Sequence, residues 1–417
     1  MHILLVHQYY LTKEGSGGSR FNEMTRNWAS QGHKVTVLSG MIYHNSGKKY
    51  PEFKGKFFHD EHYYDNLRVI RCHDSEGGQK NFLLRLWVYL SFVFSACLAG
   101  IFKVRDNYDV IVLTSPPLTV ALIALFLRLI KRTPFVFEIR DLWPESAIDT
   151  GVLTNKSIIR FAYWLEALVY KKAKLINVLT PAFRENLIGK GIPPEKIIFI
   201  PNAADFSISE IVLKDFDALK FRKEKGFDDK IVITYVGAHG IANHLIQVLQ
   251  TAELLKAQKN DKVLFLLIGD GMKKKMLEEE VKNKELTNVR FVPPVSKTEV
   301  FKYISASDYG MSVLKKVDTF KTVYSNKTFD YMACKKPIFM LIDGVSRQLV
   351  EDSNSGVYVE PENPQAFLDA IQNMIIHSDE NLAEMGNSGF LYAKENFDRT
   401  KLANKYLNLI DEKVITK

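Results

Sequence analysis

Short runs of Ile, Val, Leu and Phe recur along the chain with helix-like stretches between them, at residues 3–6, 34–38, 110–113, 134–139, 175–179 and 197–200. Runs of this length and composition predict buried strands, and strands alternating with helices predict a parallel sheet covered on both faces. The pattern breaks at 201–205 and restarts at 231–236, 263–268, 289–292, 309–313 and 337–341. The expected fold class is therefore α/β, with two doubly wound, Rossmann-like parallel-sheet domains in succession. Residues 202 to about 220 mix Asp, Ser and Lys without an apolar period and are expected to form the linker and hinge. Residues 381–417 are helical in pattern, and no internal repeat is visible.

One apolar stretch stands apart. Residues 82–102, FLLRLWVYLSFVFSACLAGIF, hold a single charge, Arg85, and are long enough to cross a bilayer. A full span is set aside, because strands of one sheet precede and follow it and a single crossing would part them. A buried helix covering the sheet and a helix dipping into the membrane interface both remain open. The flanking Lys80, Arg85, Lys103 and Arg105 suit anionic headgroups.

Composition narrows the compartment and the partners. The 417 residues carry 56 Lys and Arg against 48 Asp and Glu, a mild excess that suits an anionic ligand or membrane surface. No basic, aromatic-interleaved stripe or zinc-finger spacing points to nucleic acid. Three cysteines without a C-x-x-C pair make neither a disulfide framework nor a structural zinc site, which fits a reducing cytoplasm. The opening MHILLVHQYYL lacks a basic region and a small-residue cleavage site, so export is not expected.

In open parallel sheets, ligands bind beyond the carboxyl ends of the strands, and pockets favour domain interfaces, so chemistry is sought in those loops. VYSNKTFDYMACKKP, at 323–337, predicts a short helix with Ser325 as N-cap and Asn326 and Lys327 in its first turn. Free N–H groups, the positive dipole end and the Lys327 charge favour a diphosphate there, with Asp330 on the same face to accept from ribose hydroxyls. The plainer alternative is a capped surface helix with an ion pair. Gly237, Ala238, His239 and Gly240 follow the first strand of the second sheet and let backbone approach a ligand, with a helix expected to open near Asn243. Gly269-Asp270-Gly271 precedes three lysines that read as a solvated helix face or a phosphate contact. Phe291, Val292, Pro293 and Pro294 end another strand, where backbone could hydrogen-bond a flat base.

The first domain offers Gly15-Ser16-Gly17-Gly18 before Arg20, a loop that either cradles phosphate or flexes. FVFEIRDLWPES, at 135–146, runs from a buried strand straight into Arg140, Asp141, Trp143, Pro144 and Glu145. Charges so placed are costly unless used or paired, so Asp141, Arg140 and Glu145 are candidate catalytic residues. The alternative is a structural Arg140–Asp141 or Arg140–Glu145 pair. Asp215-Phe216-Asp217 has a metal-compatible spacing but falls in the linker, and no metal is expected.

The order of these motifs resembles family 4 of the glycosyltransferases, especially the bacterial subgroup that builds O-antigen and capsule repeat units. FEIRDLWPES followed by Gly151 looks like a subgroup signature, and GSGGSR, GHKVTVLSG, TSPPL and YSNKTFDYMACKKP fall in family order. The resemblance implies a GT-B fold whose two domains face each other across a cleft. Residues 1–203 would form the acceptor-side domain, with 395–417 crossing back to it, and 204–394 would bind the nucleotide sugar. It also implies a UDP-sugar donor, no metal or cofactor, and retention of configuration. The implied acceptor is a polyprenyl-diphosphate-linked saccharide at the inner membrane face, with the protein peripheral there through 82–102. Three departures stand out: Thr322 replaces the first of the family's paired glutamates and Asp330 the second; Arg140 stands where many members have His; and the usual diphosphate-binding Arg and Lys are missing, leaving His239, Gly240 and Lys327 as the nearest substitutes.

The resulting expectation is that Val292 and its neighbours hold the base and Asp330 the ribose. Ser325, Asn326, Lys327, His239, Gly240 and Asn243 would hold the diphosphate, while Gly17, Gly18 and Asp141 meet the sugar. A UDP-sugar epimerase of similar fold and a non-catalytic nucleotide-sugar-binding subunit are the alternatives.

Overall fold

The computed structural model describes residues 1–13, 20–43, 47–77 and 82–416. The chain divides into two compact units, Met1–Pro201 with Thr400–Lys417, and Asn202–Arg399. In the first unit the strands are β1 (His2–Val6), β2 (Lys34–Ser39), β5 (Phe58–Tyr64), β6 (Leu67–Cys72), β7 (Val110–Ser115), β8 (Phe135–Ile139), β9 (Leu175–Val178) and β10 (Ile197–Phe199), with a small antiparallel pair, β3 (Ile42–Tyr43) and β4 (Lys48–Lys49), at one side. Eight of them form one sheet in the order β10-β9-β8-β7-β1-β2-β6-β5, parallel except for the β5 edge. Its central strands are buried along their whole length, as an apolar run covered on both faces must be.

The second unit holds a six-stranded parallel sheet. Its strands are β11 (Ile231–Val236), β12 (Val263–Ile268), β13 (Val289–Val292), β14 (Tyr309–Val313), β15 (Ile338–Leu341) and β16 (Gly356–Tyr358), in the order β13-β12-β11-β14-β15-β16. Each expected strand is present to within two residues at either end. Strands β3 to β6 and β16 were not anticipated. The alternating polar residues of FHDEHYY in β5 hide it from an apolar-run criterion, because only one of its faces is covered.

Residues 202–220 are not the featureless linker the composition suggested. They carry two helices, Phe206–Leu213 and Ala218–Lys225, each opened by an aspartate that accepts from a backbone N–H, Asp205 from Ile208 (3.2 Å) and Asp217 from Lys220 (2.9 Å). Short local caps can nucleate helices that periodicity does not announce. The Asp215-Phe216-Asp217 spacing is thereby explained, with Asp217 a helix cap. Among the described residues no cluster of His, Cys, Asp and Glu has the arrangement of a metal site.

The Phe82–Phe102 helix settles between the two open alternatives by being two-faced. Val88, Phe92, Ala96 and Ala99 are buried against the sheet side, and the Ser91 hydroxyl accepts from the Ser75 N–H at 2.9 Å. A Cβ on Gly100 would lie 2.3 Å from Leu127, so this helix and the Val120–Lys131 helix pack closely. The opposite face, with Trp87, Phe94 and Ile101, is exposed.

The C-terminal helix, Arg399–Ile410, completes the first unit. Its Ala403 carbonyl accepts from the Trp28 indole at 3.0 Å, and Tyr406 meets the same indole edge-on at 5.9 Å. Where the chain leaves the first unit and where it returns, it pairs with itself: Ala204 and Asp398 form a parallel bridge, and the Ala204 N–H donates to Phe397 at 2.9 Å.

One buried ion pair knits the first unit. Arg20, at the start of the Arg20–Ser30 helix, donates from Nε to Glu138 Oε1 at 3.0 Å and from a terminal nitrogen to Oε2 at 3.2 Å; the Glu138 side chain has no exposed surface. Asn177 donates to Glu138 at 2.9 Å, and the Arg20 guanidinium also reaches the carbonyls of Ile200 (2.8 Å) and Pro201. Removing one partner leaves the other charge buried and alone. Glu138→Ala is expected to lower unfolding free energy by about 3–5 kcal/mol in urea melts, whereas Arg20→Met with Glu138→Leu is expected to recover most of that loss.

Candidate active site

In the second unit the loops after β11 and β12 press backbone against backbone. Gly237 and Gly269 have φ of +144° and +143°, and a Cβ on Gly269 would fall 1.9 Å from the Gly237 oxygen. No side chain fits there. The Gly237 N–H donates to Ile268 at 3.0 Å and the His239 N–H to Asp270 at 2.8 Å, while the His239 carbonyl accepts from Lys273 at 2.9 Å.

Above this floor begins the Asn326–Ala333 helix, fixed by Tyr331. A Cβ on Gly310 would sit 2.3 Å from the Tyr331 ring, and the Tyr331 hydroxyl accepts from the Val236 N–H (3.1 Å) and donates to Met311 (3.0 Å). Ser312 and Thr328 add a hydroxyl contact at 2.8 Å. The helix start is thus held at the carboxyl edge of β11 and β14, where its open N–H groups favour an anion. Ser325 stands at the N-cap position, but its hydroxyl does not accept from the helix; instead Lys327 Nζ donates to it at 3.2 Å. The half-buried Lys327 ammonium lies over the Tyr235 ring, 4.9 Å from its centre, and forms no ion pair among the described residues. Burial, partly opposed by Asp330, lowers its pKa to about 8.

The anticipated partners divide in their placement. Lys327, Asn326, Ser325 and the 237–240 loop meet at one edge, with a Cβ on Gly237 coming 3.3 Å from Lys327 Cε. Asp330, one turn on, is paired with Lys297 at 2.8 Å and not with Lys327. Lys297 was not foreseen, since it lies 33 residues away in sequence and only the fold brings it near. Gly240 is half-buried, and Asn243 hydrogen-bonds Tyr235, but the helix after this loop opens at Ile246, not near Asn243. The Val292 carbonyl, offered for a base, accepts from the Gly269 N–H at 3.0 Å. Of the three lysines at 273–275, Lys274 caps the Gly269 carbonyl at 3.0 Å, and Lys275 pairs loosely with Glu279 at 3.9 Å.

His239 departs most from expectation. Its ring is fully enclosed between Tyr235 and Phe291, neither ring nitrogen has a partner among the described residues, and burial with the nearby Lys274 pushes its pKa down to about 4. At neutral pH the ring is uncharged, so it supplies no cationic contact to an anion at this edge.

In the first unit Gly17 and Gly18 lie outside the described residues. The strand β8 ends beside β7, with the Arg140 N–H donating to Ser115 at 3.0 Å. Asp141 accepts from the Ser146 hydroxyl at 2.8 Å, and burial raises its carboxyl pKa, with Glu145 adding to the effect. Glu145 has a different partner from those anticipated. Lys190 Nζ sits 2.6 Å from both Glu145 and the buried Glu166, and Glu166 also accepts from Tyr170 at 2.9 Å. Burial opposes the Lys190 charge, but the two carboxylates outweigh it and raise the ammonium pKa. The cluster anchors the short Glu145–Asp149 helix, and hence the Ser146 hydroxyl, against Asp141.

Residues 15–203 match the family described as Glycosyl transferase 4-like domain, and residues 217–391 the family described as Glycosyl transferases group 1. Two such domains in tandem make the protein a glycosyltransferase of the GT-B type. Among individual proteins, it is 23% identical to WcaI of Escherichia coli (strain K12), named as a colanic acid biosynthesis glycosyl transferase, across 97% of this chain and 98% of that one. It is 24% identical to WbjE of Pseudomonas aeruginosa, named as a glycosyltransferase, over 71% and 73% of the two chains. The structure of HepE from Anabaena in complex with UDP-glucose superposes with a TM-score of 0.70 at 16% identity, covering 99% of this chain and all of that one.

The Lys190 cluster gives a pH-dependent test. Without the ammonium, Glu166 keeps a buried charge that burial already disfavours, so its carboxyl takes up a proton more readily in the folded state than in the unfolded chain. Such a group stabilises the fold as pH falls. Lys190→Met is expected to lose about 2–4 kcal/mol at pH 8 and clearly less at pH 5, read from urea unfolding at both values.

Proposed function

We propose that this glycosyltransferase moves a hexose or N-acetylhexosamine from a UDP-sugar to a polyprenyl-diphosphate-linked saccharide during surface polysaccharide synthesis. The reaction proceeds with retention and without a metal or other cofactor. The observation that carries the donor half is Lys327: a half-buried ammonium with no carboxylate partner among the described residues, set at a helix start over a glycine floor that no side chain can occupy. A diphosphate supplies the missing counter-charge. As the glycosidic bond breaks, negative charge grows on the leaving diphosphate, and preorganised N–H groups of the 326–327 turn and Gly240, with Lys327, stabilise it. Asp330, steadied by Lys297, keeps a second oxygen for the ribose hydroxyls, and the backbone near Phe291 and Val292 receives the base.

The first unit supplies the acceptor side. Asp141, with its raised carboxyl pKa, either orients the sugar or receives a proton from the acceptor hydroxyl, and Glu145 serves with Lys190 to hold that segment rather than to react. Arg140 lies at the same strand end. The names of WcaI, assigned to colanic acid synthesis, and of HepE with its bound UDP-glucose support the polysaccharide and UDP-sugar parts of the reading. A lipid-linked acceptor places the enzyme at the cytoplasmic face of the membrane, with the Phe82–Phe102 helix turned to it.

Saturation-transfer NMR with UDP-, GDP- and dTDP-sugars in excess EDTA tests the donor site. Base and ribose signals are expected from UDP-sugars alone and are expected to vanish in Asp330→Ala; binding that EDTA abolishes, or that Asp330→Ala leaves intact, refutes this assignment. The Lys327 ammonium discharges as pH rises through about 8, so UDP-sugar Kd is expected to weaken about fourfold between pH 7 and 8.5. Lys327→Arg is expected to flatten that dependence, and Lys327→Met to weaken binding at every pH. Transfer that requires acceptor separates this function from an epimerase and from an idle binding subunit.

A further inference from the structure

The exposed apolar surface of the first unit is wider than its one long helix. The Phe82–Phe102 helix packs beside the Val120–Lys131 helix, which in turn packs beside the Lys156–Lys172 helix. Right-handed crossovers between parallel strands put all three on one face of the sheet. Each turns large apolar side chains outward: Trp87 (60% exposed) and Phe94 (62%) on the first, Leu129 (78%) on the second, and Phe161 (51%) with Trp164 (56%) on the third. Phe161 and Trp164 lie ring to ring at 5.6 Å. Scattered exposed side chains are ordinary, but aromatic and aliphatic groups recurring on three adjacent helices need an occupant.

Charge identifies that occupant. The three helices carry seven basic residues and a single acidic one. The acidic residue, Glu166, is buried and already paired with Lys190, so the outward face has no carboxylate of its own from these helices. An apolar face with tryptophans and an unbalanced basic fringe fits the boundary of an anionic bilayer, where acyl chains meet phosphate headgroups. A second copy of the same face would set basic residues against basic residues. Spanning is excluded by the inner side of the Phe82–Phe102 helix, where Ser91 and Ser95 bond the backbone of residues 73–75 and Phe92 packs into the unit.

We propose that the outward face of this three-helix layer docks in the plane of a bilayer rich in acidic phospholipid, with Trp87, Phe94, Leu129, Phe161 and Trp164 inserted to the depth of the headgroup boundary. The proposal rests on the membrane-surface part of the proposed function and extends it from one helix to a three-helix platform.

The test is co-sedimentation of the full chain with phosphatidylcholine vesicles, with and without about a third phosphatidylglycerol, alongside Trp164→Glu and Leu129→Glu. Both replaced residues are exposed and distant in sequence from the Phe82–Phe102 helix, so the fold should persist, and UDP-sugar binding by NMR checks that it does. Expected are binding only to the acidic vesicles, weakening in high salt, a drop of roughly tenfold or more in each variant, and release by alkaline carbonate. Equal binding by the variants, failure of the wild type to bind acidic vesicles, or resistance to carbonate would overturn it. So would a stable dimer that Trp164→Glu dissociates. Loss of UDP-sugar binding in the wild type would instead count against the donor site and leave the docking result standing.

Discussion

The first unit depends on a charge that cannot be left alone. Glu138 stands in the middle of an otherwise apolar strand, with no exposed surface, and the energy of burying it is recovered only because Arg20 meets it with two hydrogen bonds and Asn177 with a third. Through that contact the helix that follows the glycine loop, the strand that leads to Arg140 and Asp141, and the last residues before the chain leaves the unit are fixed to one point. Two sequence segments that invite a catalytic reading, GSGGSR and FVFEIRDLWPES, therefore have a structural bond at their centre, and the reactive candidates lie two and three residues beyond it.

The candidate residues of the two units solve opposite electrostatic problems, each within its own unit. Around Asp141 and Glu145 the charges are neutralised internally, with Lys190 shared by two carboxylates at 2.6 Å. Around Lys327 neutralisation stops short, because the nearby Asp330 is engaged by Lys297. A half-buried ammonium in that state is held at a cost, which shows as a lowered pKa, and an arriving anion removes it. The same arrangement that destabilises the empty site favours the occupied one.

Much of the fold was legible because buried parallel strands are written as unbroken apolar runs, and every such run became a strand. Strands covered on one face escaped notice: β5, with His59, Asp60, Glu61 and His62 in succession, has no apolar run to find. The helices at 206–213 and 218–225 escaped for a different reason, since their caps are single aspartates in polar surroundings. At the site, residue types near a strand end were legible, but partners were not. Glu145 pairs with Lys190 and Asp330 with Lys297, contacts across 45 and 33 residues that no local spacing encodes. A lone charge inside an apolar run is a signal that went unused: Glu138 in FVFEI implies a buried partner, although not which one. His239 shows the converse, a polar residue beside a glycine turn that the fold encloses as packing.

The return of the C-terminal helix has a consequence for how the protein is made. Thr400–Lys417 belong to the first unit, and Ala403 and Tyr406 cover the Trp28 indole. On the ribosome the second unit is complete while the first still lacks its last helix, with an aromatic groove open beside Trp28. Maturation of the N-terminal half therefore waits until the residues beyond 400 have been translated, and a nascent chain stalled before residue 400 presents that groove to chaperones however well its sheet has formed.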